Sequence, residues 1–153
     1  MLVEKSFETG ELTLHYAEGP PAGPPLVLLR GMTGRWQAWQ PMPSQLTPRW
    51  HVSALDLRGH GKSGRIANRY QLADYARDVV AFLQHLPEPA VLMGHSLGAA
   101  TALAAAAACP TGTRAAILLD PPLYNRDTSI EATPEFKRRL SWVYQTVTSS
   151  ASH

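Results

Sequence analysis

The chain has 153 residues, 44% apolar and 17% charged, with a formal charge of +2. That is one domain by the usual length prior, with enough apolar material for a core and too little positive charge to argue for nucleic acid. Cys109 stands alone, which excludes an internal disulfide framework and a cysteine-built metal site. Met1-Leu-Val-Glu-Lys5 lacks a basic region followed by an apolar core, and the longest wholly apolar stretch, Leu103 to Cys109, is far too short to span a bilayer. A cytoplasmic protein with no membrane partner is the expectation.

In chain order, Leu2 to Thr9 and Leu12 to Ala17 read as two strands of an antiparallel hairpin turning at Gly10-Glu11 and lying at a sheet edge. Glu18 to Pro25, rich in Pro and Gly, breaks regular structure and is expected as a surface loop, with a proline-rich recognition segment the alternative. Leu26 to Leu29 is continuously apolar, as a parallel strand buried on both faces must be. A glycine-bounded turn, Arg30-Gly-Met-Thr-Gly34, follows. The segment Arg35 to Trp50 is expected to hold a short helix between Gly34 and Pro48, its tryptophans Trp36, Trp39 and Trp50 packing in the core or lining a pocket.

Val52 to Leu55 reads as the next strand and runs into Asp56-Leu-Arg-Gly-His-Gly-Lys-Ser-Gly64. There Asp56 and Arg58 can brace the turn electrostatically, and the glycines let it bend. His60 in this loop is expected to be structural rather than a base. Leu72, Tyr75, Val79, Val80, Phe82, Leu83 and Leu86 form one apolar stripe of a helix, with Asp74 and Asp78 expected on its wet side. Ala90 to Met93 is a strand, and the helix behind it extends over Ala99 to Cys109, where alanine favours both the helix and its close packing. Cys109 is expected to be a buried small hydrophobe. Arg114 to Leu119 is the last clear strand and closes on Asp120-Pro-Pro122. Thr133-Pro134 marks a helix start, and Phe136, Leu140, Val143, Tyr144 and Val147 continue at helical spacing toward a polar tail, Thr148 to His153.

A hairpin followed by strand–helix alternation implies an α/β fold: a mostly parallel sheet with helices on both faces. Met32, Asp56, Ser96 and Asp120 all fall at carboxyl ends of strands, where such folds collect catalytic groups. The pattern centres on Val91-Leu-Met-Gly-His-Ser-Leu-Gly98, which is G-x-S-x-G set between a strand and a helix. A Ser at so tight a turn is held in a strained backbone with its hydroxyl pushed beyond the sheet edge. Gly94 and Gly98 omit side chains that would collide across the turn. The unpaired N–H groups of the following helix can stabilise negative charge there.

This stretch resembles the nucleophile elbow of the α/β-hydrolase family. Asp56 to Ser63 likewise resembles the D-x-R-G-x-G-x-S loop of many of its members. The resemblance implies that Ser96 is the catalytic nucleophile. It implies an oxyanion hole made of the backbone N–H groups of Met32 and Leu97, with Arg30 standing where the family often has His. Asp120 is a candidate acid, since some members place it after this strand. No metal and no cofactor are implied.

The family orders its triad as Ser, then acid, then His. The single His after Ser96 is the terminal His153, in a frayed tail poorly suited to hold a base. The expectation is therefore an incomplete α/β-hydrolase fold: residues 1–124 a partial core, residues 125–153 the start of a helical cap with a frayed tail. The implied activity is that of a serine hydrolase acting on an ester-like or related carbonyl compound of small size through a covalent acyl-enzyme. The isolated chain would be inactive. The alternatives are a non-catalytic binding or interaction module, and a short enzyme whose base comes from another subunit, from His60 or from His95. His95 directly precedes Ser96, so its side chain should point away from the hydroxyl. An exposed edge on the strand Arg114 to Leu119 is a candidate surface for self-association.

Overall fold

The first two strands are held together by a reverse turn. In the computed structural model, which describes residues 1–122, β1 (Val3–Glu8) and β2 (Thr13–Glu18) pair antiparallel, with Val3 opposite Glu18 and Glu8 opposite Thr13. Gly10 takes φ +93 in the connection, a conformation that L side chains resist. β1 is the sheet edge, as expected. β2 pairs antiparallel with β4 (His51–Leu55), which pairs parallel with β3 (Pro25–Leu29). β3 pairs parallel with β5 (Ala90–His95), and β5 with β6 (Thr113–Leu119). The sheet order is β1-β2-β4-β3-β5-β6.

The alternation of side chains along β3 divides the core in two. Val27 and Leu29 face a cluster with Leu14, Tyr16, Leu55, Val79, Phe82, Leu92, Ala102 and Ala105. This layer is closed by α2 (Leu72–His85) and α3 (Leu97–Ala108). Leu26 and Leu28 face the other way, with Val52, Ala54, Val91, Trp36 and Trp39. Every residue of β3 is buried, which is why its sequence reads as a continuous apolar run. In α3, Ala99, Ala102 and Ala105 are wholly buried, so the alanine-rich sequence serves a close helix–sheet approach.

Where one short helix was expected there are two pieces, a 3-10 turn at Trp36–Trp39 and α1 (Met42–Leu46). Pro41 and Pro43, which lack amide donors, account for the break. Trp36 and Trp39 are core residues, and Trp50 packs against the same cluster. Cys109 is a buried free thiol.

The aspartates of α2 correct the sequence reading. Asp74 and Asp78 are not on a wet face: they are 6% and 2% exposed. Arg58, with no exposure at all, sends Nε and Nη2 to the two carboxylate oxygens of Asp78, each at 2.7 Å. A buried guanidinium requires a carboxylate beside it, and the helix supplies one from the face that periodicity alone assigns to solvent. Asp74 accepts from Arg69, Arg77 and the backbone N–H of Gln71 at the helix start.

The helix start at Thr133, the apolar spacing of Phe136 to Val147, the expected cap and the tail lie outside the described residues.

Candidate active site

Parallel pairing brings the candidate residues to one rim. Leu29 is opposite both Leu55 and Gly94, and His95 is opposite Leu119. The loops leaving β3, β4, β5 and β6 therefore start side by side, carrying Met32, Asp56, Ser96 and Asp120. Ser96 sits between β5 and α3 with φ 53 and ψ −119, a backbone that a non-glycine residue adopts only under strain. Its N–H donates to Leu119 O at 3.0 Å, and its C=O accepts from Ala99 and Ala100 N–H. The backbone on both sides of the residue is thus tied down. Among the described residues no group hydrogen-bonds the Ser96 hydroxyl.

The glycines around it are sterically obligatory. A Cβ on Gly94 would come within 2.1 Å of Gly98 O, and one on Gly98 within 2.0 Å of Leu29 O. The turn folds only because strand, elbow and helix backbones touch. A Cβ on Gly31 would stand 3.0 Å from Ser96 Cβ and 3.3 Å from His95 Nδ1. The turn after β3 is therefore packed directly against the elbow. That turn closes with Gly34 N–H on Gly31 O at 3.0 Å, and Thr33 has φ 63. Positive φ at the third position alone is the type II pattern, which leaves the N–H of the second residue, Met32, free of the turn's own bond. Leu97 opens α3, where the first amides have no intrahelical partner. Among the described residues the N–H groups of Met32 and Leu97 are thus left out of the turn's and the helix's own hydrogen bonds.

Asp56 and Arg58 do brace the loop after β4, but through separate partners. Asp56 accepts from Trp36 N–H at 2.7 Å, Lys62 N–H at 3.1 Å and His15 Nδ1 at 2.9 Å. A Cβ on Gly61 would fall 2.0 Å from its Oδ2. Ser63 donates to Asp56 O at 2.6 Å and accepts from His15 N–H at 2.8 Å. The loop is pinned to β2 on one side and to the 3-10 turn on the other. The Asp78 hydrogen bonds hold Arg58 charged far above its ordinary range. Burial pushes the Tyr75 phenol up to about 12.

The histidines go elsewhere. His60 donates Nδ1–H to Arg58 O at 2.9 Å and lies near the Tyr75 ring. His15 bridges Asp56 and Glu4, and His51 faces Glu18. His85 packs on Phe7. His95 Nδ1 is buried against Gly31 with no partner among the described residues. None of these imidazoles bonds Ser96. Asp120 follows β6 directly, is exposed, and takes φ 47. His153 lies outside the described residues. The bridging His15 and the Asp78 partner of Arg58 were missed from sequence, since only the tertiary pairing joins positions so far apart.

Among the described residues no group of three His, Cys, Asp or Glu could hold a metal ion. Nor is any helix there long and apolar enough to cross a membrane.

The sequence profile of the alpha/beta hydrolase fold family matches residues 24–152. Among curated relatives, 2-(acetamidomethylene)succinate hydrolase of Mesorhizobium japonicum is 30% identical over 131 residues, 85% of this chain and 47% of its own length. Pimeloyl-[acyl-carrier protein] methyl ester esterase of Methylococcus capsulatus is 37% identical over 99 residues, 63% of this chain and 37% of its own. The crystal structure of E-2-(acetamidomethylene)succinate hydrolase superposes with a TM-score of 0.82 at 29% identity, covering 93% of this chain and 52% of that one. The chain thus spans less than half the length of these curated relatives, which are named as hydrolases and esterases. With strand order, elbow and profile in agreement, the chain belongs to the α/β hydrolase fold family.

Proposed function

We propose that the chain is the N-terminal part of an α/β-fold serine hydrolase that cleaves an ester-like or related carbonyl substrate of small size. Ser96 Oγ attacks the carbonyl carbon, forming an acyl-enzyme and releasing the alcohol, amine or thiol half. Water then releases the acid. The N–H groups of Met32 and Leu97 hold the oxyanion, and Asp120 serves as the acid of the triad. The base comes from a part of the protein other than this 153-residue chain, so the isolated chain does not turn over. Residues 125–153 are the start of a helical cap region, and the setting is cytoplasmic.

One observation carries the reading: the strained Ser96 backbone, φ 53 and ψ −119, between β5 and α3. A fold that needed only a turn there would place glycine at that position and avoid the strain. The test is fluorophosphonate treatment followed by mass spectrometry. In a chain that carries a base the adduct sits on Ser96 and disappears in Ser96→Ala. An adduct elsewhere, or none, rejects Ser96 as nucleophile. The same adduct on the 153-residue chain alone would instead reject its inactivity.

A second reading, an interaction module, is favoured by β6. Among the described residues no strand pairs with its outer edge, and Ile117 is 41% and Leu119 37% exposed. A concentration-dependent dimer by size exclusion that is lost in Ile117→Lys would support this reading; a monomer at all concentrations would reject self-association through β6.

A further inference from the structure

Arg30 adjoins the elbow with a charge that the oxyanion turn does not use. It leaves the carboxyl end of β3 immediately before Gly31, which is packed against Ser96. The side chain is half-buried, and its course is fixed on two sides. A Cβ on Gly34 would fall 2.2 Å from Arg30 Cγ, so the glycine makes room for it. The guanidinium lies 5.6 Å over the Trp39 ring. That stacking holds a planar cation but offers it no acceptor.

Among the described residues Arg30 has neither ion pair nor hydrogen bond. Asp56, at the end of the neighbouring strand β4, is already taken by Trp36 N–H, Lys62 N–H and His15. Beneath the guanidinium, Trp39 is 4% exposed and Trp36 is 8% exposed, and among the described residues neither indole Nε1 has an acceptor. Buried donors without acceptors are rare in a finished fold. Here two of them accompany a positioned cation on the short segment after β3, whose Gly31 packs against Ser96. Arg58 shows what this chain does with a guanidinium it means to neutralise: it gives Arg58 a bidentate carboxylate.

We propose that Arg30 binds an anionic group carried by the substrate, so that the site takes acyl compounds bearing a carboxylate close to the scissile bond. The strand order gives this a direction. β5 lies between β3 and β6, so Arg30 and Asp120 leave the sheet on opposite sides of Ser96. The carboxylate-bearing end of the substrate lies on the β3 side, where the cation is, and away from the acidic Asp120. The acyl half of this inference rests on the Ser96 reading; the anion half does not.

The experiment is isothermal titration of the full chain with succinate and with the uncharged succinamide. Succinate is expected to bind and succinamide not. Arg30→Gln is expected to weaken succinate about 10–100-fold, the worth of one charge-assisted contact, with Arg30→Lys in between. Ser96→Ala is expected to bind succinate as the parent does. Equal binding of succinate by Arg30→Gln and the parent, equal binding of succinamide, or no succinate binding at all would overturn the proposal. Because the readout does not use Ser96, a failure of fluorophosphonate labelling removes the nucleophile and leaves this result standing.

Discussion

Ser96 is strained in a way that can be weighed. A non-glycine residue in such a backbone conformation costs about 1–3 kcal/mol, which the packing around it must supply. Glycine relieves the strain at a smaller entropic cost, so Ser96→Gly is expected to raise stability by about 1 kcal/mol in urea unfolding. It would remove the fluorophosphonate adduct at the same time. A variant that lost the adduct and also lost stability would mean that the hydroxyl, not the backbone, holds the turn. Met32 permits a cleaner experiment than most backbone donors do. It occupies the second position of a type II turn, where proline is readily accommodated, and Gly31 before it tolerates the restriction. Met32→Pro should therefore keep the fold and delete one N–H. In a complete enzyme the expected loss of kcat is about 10²–10³-fold with unchanged far-ultraviolet circular dichroism.

At the scale of elements, α2 shows how a polar residue can be read correctly as helical and wrongly as exposed. Leu72 to His85 is the predicted helix to within a residue, yet Asp78 faces inward because the loop after β4 sends Arg58 under it. Removing one member of a buried pair strands the other. Asp78→Ala is expected to cost about 3–5 kcal/mol in urea unfolding, whereas the double change to Arg58→Met with Asp78→Leu should cost clearly less. Equal losses in the two would show that the pair acts only by filling volume. The same loop explains why D-x-R-G-x-G-x-S can be spotted as a unit but not decoded. Its Asp, Arg and Ser reach three elements between them: Asp56 meets β2 and the 3-10 turn, Arg58 meets α2, and Ser63 meets β2.

For the whole molecule, two carboxylates set a pH dependence: Glu4, which ties β1 to the loop after β4, and Asp74, which anchors the start of α2. At Asp74 burial opposes ionisation, but the Gln71 N–H, Arg77 and the charges of Arg69 and Arg58 outweigh it and hold the carboxyl below its ordinary 3.8. At Glu4 the hydrogen bond from Lys62 does the same against an ordinary 4.5. Both folded values are depressed, so the stability these groups lend is complete above the ordinary values and is lost as pH falls through the folded ones. The urea midpoint should thus hold from neutrality down to about pH 5 and decline below about pH 4, with a shallower decline in Asp74→Asn. A flat midpoint across that range would contradict the assignment.

The sequence alone determined what is local. Strands buried on both faces must be continuously apolar, a sharp strand-to-helix turn needs glycines around its serine, and a helix stripe repeats every three to four residues. These signals lie within a few residues of one another, so β3, α2, the elbow at Ser96 and the parallel class of sheet could be read directly. The order of strands in space, the inward turn of Asp74 and Asp78, and the three donors on Asp56 were decided by the tertiary structure. So was the placement of the Arg30 guanidinium over Trp39, unpaired among the described residues. Each depends on which distant residue arrives at a given wall of the core, and burial then forces a charge either to find its partner there or to wait for one.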